Sequence, residues 1–238
     1  MTDNGSSISG ILFDKDGTLI DYHESFMPLN WRMAKNLARG DDALARHLML
    51  IGGWDPETDR IKPGTPLAAW TLAEIAEFYH DETAIDDPAE TLSIVVQASE
   101  TGPAEAVAVT DLPAVLGPFK DMGLKLGITT SDHTAAARAT VERFGIDGLM
   151  DFVAGYDAGY GSKPQPGMIH GFCEAFGLAP ETIMVVGDNR HDIEFARAGG
   201  AGWAVGVLTG TSVREDLEPI ADFVLDDITG LPGLLARL

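Results

Sequence analysis

The chain has 238 residues, 45% hydrophobic and 22% charged, which is enough apolar material for a packed core and excludes wholesale disorder. With 16 basic against 37 acidic residues its formal net charge is −21, which excludes nucleic-acid backbones and anionic membrane surfaces as partners. An anionic substrate would need local positive charge, from a few Lys or Arg side chains or from a metal ion.

Residues 1–10 have neither a basic start nor an apolar run, so no signal peptide is read there. No apolar stretch approaches the ~18–20 residues of a membrane helix. Cys173 is the only cysteine, which leaves no intrachain disulfide and no thiolate zinc cluster. The expectation is a soluble, cytoplasmic protein.

Residues 8–13 form a short apolar, β-branched run that predicts a buried strand. From about residue 21 to 102 the texture turns helical, with patterns at 24–37 and 42–51. Thr65 before Pro66 predicts an N-cap, followed by one stripe of Leu67, Trp70, Ile75 and Phe78 that ends near His80. A further helix is predicted over 88–100, stopped by Thr101-Gly102-Pro103. Beyond it strands and helices alternate. Strands are predicted at 124–129, 151–154, 182–187, 203–207 and 223–225, and helices around 112–119, 134–144, 166–176 and 192–198. Repeated β-α units with apolar strands imply a Rossmann-like parallel sheet covered on both faces, an α/β core of residues 1–20 and 103–238 with an inserted helical domain at 21–102.

The segments just past the strands carry the chemistry. The first strand runs into Asp14-Lys15-Asp16-Gly17-Thr18, the second into Thr130-Ser131-Asp132, and the 182–187 strand into Asp188-Asn189-Arg190-His191-Asp192. Parallel strands bring these segments to one edge of the sheet, where ligands of such sheets sit. Lys163, in the loop before the 166–176 helix, can reach the same place. Clustered acids repel one another unless a cation lies among them, and hard oxygen ligands suit Mg²⁺. Rival motifs fail. Aligning Gly17 with the invariant glycine of an EF-hand puts Leu12 and His23 at ligand positions. The segment around Lys163 lacks the Gly-Lys-Ser/Thr of a P-loop, and no strand runs into Gly-x-Gly-x-x-Gly.

The ordered set DKDGT, ITTS, KP and GDNRHD resembles the haloacid-dehalogenase superfamily, in its phosphatase branch and its phosphoglycolate-phosphatase-like subgroup. The helical insertion resembles that family's C1-type cap. The resemblance implies a Mg²⁺-dependent phosphomonoester hydrolase in which Asp14 attacks phosphorus to form an aspartyl-phosphate. Asp16 would act as general acid and then base, an i and i+2 pair that leaves Lys15 pointing away as a bystander. Thr130, with Thr129 as competitor and Ser131 beside it, would bind phosphoryl oxygens, and Lys163 would neutralise their charge. Asp14, Asp188 and the Asp16 backbone carbonyl would hold the metal. Asp192 would support the metal shell, orient Lys163, or cap a helix.

The resemblance implies a small phosphorylated metabolite as substrate, phosphoglycolate first, chosen by the cap. Arg60, Arg32 and Lys62 are candidate anion contacts there, beside the turn-rich segment 52–56, and His23 and His191 are weaker candidates. Asp16 argues against dehalogenation, where halide leaves without a proton. A sugar-phosphate mutase of the same superfamily and an inactive phosphate-binding module remain the alternatives.

Overall fold

The computed structural model describes residues 7–100 and 102–238. Its strands are β1 (Gly10–Phe13), β2 (Trp54–Asp55), β3 (Arg60–Ile61), β4 (Lys125–Thr129), β5 (Phe152–Ala154), β6 (Ile183–Gly187), β7 (Trp203–Val207) and β8 (Phe223–Leu225). The chain divides into two compact units, Tyr22–Val107 and the remainder.

In the larger unit six strands form one sheet in the order β5-β4-β1-β6-β7-β8, every pair parallel. β1, β6 and β7 are buried at every position, which explains why they read as near-continuous apolar runs. Ile11 and Phe13 pack into one layer with Leu126, Ile128, Val186 and Phe119, while Leu12 turns to the opposite layer with Met168, Phe172 and Val185. The flanking helices include Leu112–Asp121, Thr134–Arg143, Gly167–Phe176 and Arg190–Ala198. Gly177 ends the third in the left-handed region at φ 65°, which a side chain would resist. β1 lies between β4 and β6, with Phe13 in register with Ile128 on one side and Val186 on the other. Connections leave in opposite directions on either side of β1, so a crevice opens beyond the carboxyl ends of these three strands.

The smaller unit has its own core of Met33, Leu37, Leu48, Met49, Ile75 and Tyr79. Its main helices are Tyr22–Leu37, Asp42–Ile51, Leu72–His80 and Pro88–Glu100. Three details depart from the sequence expectation. The stripe from Leu67 to Phe78 is two helices, Pro66–Ala69 and Leu72–His80, because Thr71 starts a new one: it and Glu74 form a reciprocal capping box. Thr65 does stand at the N-cap with Pro66 opening the helix, but its side chain makes no capping bond, and its hydroxyl donates to the Lys62 carbonyl at 2.6 Å. The turn-rich segment at 52–56 contributes to a hairpin in which Asp55 opposes Arg60.

Residues 103–107, expected with the sheet, belong to the helical unit. The Val107 N–H donates to Ser25 Oγ at 2.9 Å, and Arg32 grips Glu105 through two bonds of 3.1 and 3.2 Å. The helix stop at 101–103 falls partly outside the described residues, and Gly102–Glu105 forms a short helix. Residues 1–6, part of the segment read for a leader, also lie outside. Among the described residues no helix is long and apolar enough to cross a membrane.

Candidate functional site

Asp14 is the first residue past β1, and its N–H still bonds the Val186 carbonyl at 2.8 Å, so the strand ladder fixes its backbone. Asp188 comes directly after β6, and Asp192 lies in the first turn of the helix Arg190–Ala198. Carboxylate oxygens of these three acids lie within 4.8 Å of one another, and all three residues are buried. Lys163 reaches in from the loop after β5. Its Nζ lies 2.7 Å from Asp14 Oδ1 and 2.6 Å from Asp192 Oδ1, with a side chain only 2% exposed.

One ammonium against three carboxylates leaves the pocket short of positive charge. Burial pushes the Asp14 carboxyl up to about 7 despite Lys163, with Asp192 adding repulsion. Burial first, then Asp192 and Asp14, also raise Asp188 well above the usual carboxylate range. The Lys163 pKa rises as well: burial opposes its charge, but Asp14 and Asp192 outweigh burial and hold it protonated.

Backbone packs tightly around Asp188. A Cβ on Gly17 would stand 2.6 Å from Asp188 Cγ, and one on Gly210 would stand 1.7 Å from its Oδ2. The Thr211 N–H donates to Asp188 Oδ2 at 3.1 Å, and Thr209 Oγ1 donates to the Gly17 carbonyl at 2.6 Å. An all-oxygen, over-acidic donor set of this kind fits a hard divalent cation.

Asp16 lies two residues past Asp14, in the turn that Gly17 makes at φ 86°. Its carboxylate is bound by Lys15, which corrects the reading of Lys15 as a bystander. Lys15 is 5% exposed, and its Nζ contacts both Asp16 oxygens, at 2.7 and 2.6 Å, and Asp132 Oδ2 at 3.2 Å. Burial opposes its charge, yet the two carboxylates raise its pKa.

Thr129 is the last strand residue and fully buried; among the described residues no hydrogen-bond partner reaches its Oγ1. Thr130, just beyond, accepts the Asp132 N–H at 3.1 Å, and Ser131 is exposed beside it. Arg60 is an exposed residue of β3 in the helical unit. Arg32 is taken up by Glu105, and Lys62 lies 3.4 Å from Asp55.

Asp192 does two of the things expected of it at once. One oxygen holds Lys163, while the other accepts the Asn189 N–H at 3.1 Å and completes a capping box. Sequence reasoning misses the loop after β7, although its signal is present: a strand at 203–207 running into Thr209-Gly210-Thr211-Ser212.

A parallel α/β core that gathers buried acids and a lysine at its topological switch point places this chain among the doubly wound proteins with a ligand crevice there. The model of the haloacid dehalogenase-like hydrolases matches residues 8–200, and the chain belongs to that family. It is 27% identical over 227 residues to a phosphoglycolate phosphatase of Shigella boydii, covering 89% of this chain and 85% of that one. A phosphoglycolate phosphatase of Pasteurella multocida is 28% identical over 131 residues, and the chain spans only 58% of its length. In fold it is similar to a haloacid dehalogenase-like hydrolase from Streptococcus pneumoniae, with a TM-score of 0.70 and 21% identity over 98% of this chain and 99% of the other.

Proposed function

We propose that this hydrolase is a phosphatase that cleaves a small phosphorylated metabolite, phosphoglycolate first among candidates, through an aspartyl-phosphate on Asp14. The observation that carries the reading is the grip of Lys163 on Asp14 Oδ1 beside buried Asp188. That grip holds Oδ1 of the Asp14 carboxylate and supports Oδ2 as the attacking oxygen.

In the first half-reaction Asp14 Oδ2 bonds to phosphorus while the bond to the leaving oxygen breaks and Asp16 gives that oxygen a proton. In the second, Asp16 takes a proton from water, the water oxygen bonds to phosphorus, and the bond to Asp14 breaks. The sum is one water consumed, with alcohol and phosphate released. The hydroxyls of Thr130 and Ser131 donate to phosphoryl oxygens, and Lys163 offsets their charge. Asp14, Asp188 and the Asp16 carbonyl would hold Mg²⁺, which supplies charge neutralisation for the phosphoryl group. Asp192 keeps Lys163 aimed. The proton duty of Asp16 favours ester cleavage over dehalogenation. The helical unit is assigned the role of cap and Arg60 that of an anion contact for the substrate.

The test is Asp14→Asn assayed on an aryl phosphate and a panel of phosphorylated metabolites with Mg²⁺. Turnover should vanish into background. Wild-type rates in that variant would overturn the covalent route, and a wild-type protein inactive on the whole panel would leave the binding-module alternative standing.

A further inference from the structure

We propose that Lys15 is a positioning residue for Asp16, anchoring the acid–base carboxylate to the loop after β4 through Asp132. The inference rests on the phosphatase reading above and concerns a side chain that the reaction scheme does not use. A lysine between two acids at a turn would ordinarily extend into water, since its charge is costly to bury. Here its whole side chain is buried and its ammonium ends between two carboxylates, contacting both Asp16 oxygens and Asp132 Oδ2.

The far end of this bridge is fixed. Asp132 Oδ1 accepts the His133 N–H at 2.7 Å, and the Asp132 N–H bonds Thr130 Oγ1. The Tyr156 N–H bonds the Asp132 carbonyl at 3.1 Å, which ties this loop to the one after β5. Lys15 therefore links the carboxylate proposed to move protons to the segment proposed to bind phosphoryl oxygens. An Asp on a glycine-containing turn has two free side-chain rotations. Holding both of its oxygens removes that freedom, and proton transfer to a leaving oxygen depends steeply on such placement.

Leaving-group dependence separates this role from a structural one. Nitrophenolate departs without a proton, whereas the alkoxide of an alkyl phosphate such as phosphoglycolate needs one. Wild type, Lys15→Met, Lys15→Arg, Asp132→Asn and Asp16→Ala are assayed on both substrates. Lys15→Met should lose about 10- to 100-fold in kcat on the alkyl phosphate and under about threefold on nitrophenyl phosphate. Lys15→Arg, which can still grip a carboxylate, should restore the ratio. Asp132→Asn should show a weaker bias in the same direction.

An equal loss on both substrates in Lys15→Met, or a gain on the alkyl phosphate, overturns the proposal. Should Lys15→Met fail to fold, the half-exposed Asp132→Asn decides, and absence of bias there overturns it too. Asp16→Ala without a leaving-group bias would instead remove the acid role itself, a failure of the underlying reading that this set distinguishes.

Discussion

Lys163 and Asp192 are joined at 2.6 Å, and the same Asp192 carboxylate turns its other oxygen to the N–H of Asn189 at 3.1 Å. One side chain thus closes the first turn of a helix and holds the ammonium that grips Asp14. The stability of that helix start and the geometry of the site are coupled through the opposite oxygens of one carboxylate.

That double duty can be separated. Asp192→Asn keeps an oxygen for the Asn189 N–H but loses the charge facing Lys163, whereas Asp192→Ala loses both. Both variants should lose about 10- to 100-fold in kcat, as expected when the orienting partner of a site residue is removed. The alanine variant should also lose about 1 kcal/mol more stability than the asparagine variant, through the missing cap. Thermal melts and kcat on a phosphate ester read the two effects independently. Equal melting temperatures for the two variants would exclude the capping contribution.

Gly210 should tolerate no side chain. A Cβ there would fall 1.7 Å from Asp188 Oδ2, 2.1 Å from its Cγ and 2.5 Å from its Cβ, and Asp188 is buried. Gly210→Ala is expected to destabilise by about 1–3 kcal/mol, as overpacking does, and to weaken Mg²⁺ dependence measured by activity titration. Gly117 is the control. It lies within the helix Leu112–Asp121 with no atom within 4 Å of a Cβ, so Gly117→Ala should stabilise by about 0.5–1 kcal/mol. A Gly210→Ala protein with wild-type melting and Mg²⁺ response would remove the packing argument.

The core of this fold was legible because β1, β4, β6 and β8 are short, largely apolar runs with a polar residue at once beyond each. Strands 203–207 and 223–225 match the expectation residue for residue, and Asp14, Asp188, Asp192 and Lys163 meet as the order of the loops required. The part that was not legible depends on where side chains turn once past a strand. The i and i+2 rule sends Lys15 away from its acidic neighbours only while the backbone stays extended, and Gly17 ends that extension at φ 86°. Trp70 reads as part of an apolar stripe, yet it is 42% exposed, because the capping box at Thr71 resets the helix phase just after it. Periodicity cannot register such a restart when the polar residue that causes it fits the same stripe.

At Gly155, the first residue after β5, a methyl group would meet backbone. Its Cβ would stand 2.3 Å from the Asp132 carbonyl oxygen and 2.4 Å from the Thr134 nitrogen. Its N–H also bonds Thr134 Oγ1 at 3.0 Å, while Asp157 Oδ1 accepts the Thr134 N–H at 2.8 Å. Gly155→Ala must push the loop carrying Thr130 and Ser131 away from β5. Its kcat/KM should fall about 100-fold, the cost of a misplacement near 1 Å. Unchanged kcat/KM would mean that this loop takes no part in binding the phosphoryl group.

At the amino end of the sheet, away from the chemistry, Asp151 gathers three donors. Lys120 Nζ lies 2.5 Å away, Lys125 Nζ 3.2 Å, and the Leu126 N–H 2.9 Å. Burial works against ionisation of Asp151, but the bonds from Lys120, Leu126 and Lys125 outweigh it and hold the carboxyl below its usual range. A carboxyl with a depressed folded pKa stabilises fully above its unfolded value of about 3.9 and loses that contribution as the pH falls through the lower, folded value. Asp151→Asn should therefore be less stable than wild type by about 1–2 kcal/mol at pH 7, in the range of hydrogen bonds to charged groups. The gap should stay constant down to about pH 5 and close below about pH 4, while activity at pH 7 is unchanged. Denaturant melts of both proteins across that range supply the measurement. A gap that persisted undiminished at the acid end would show that Asp151 contributes through shape and packing and not through its charge.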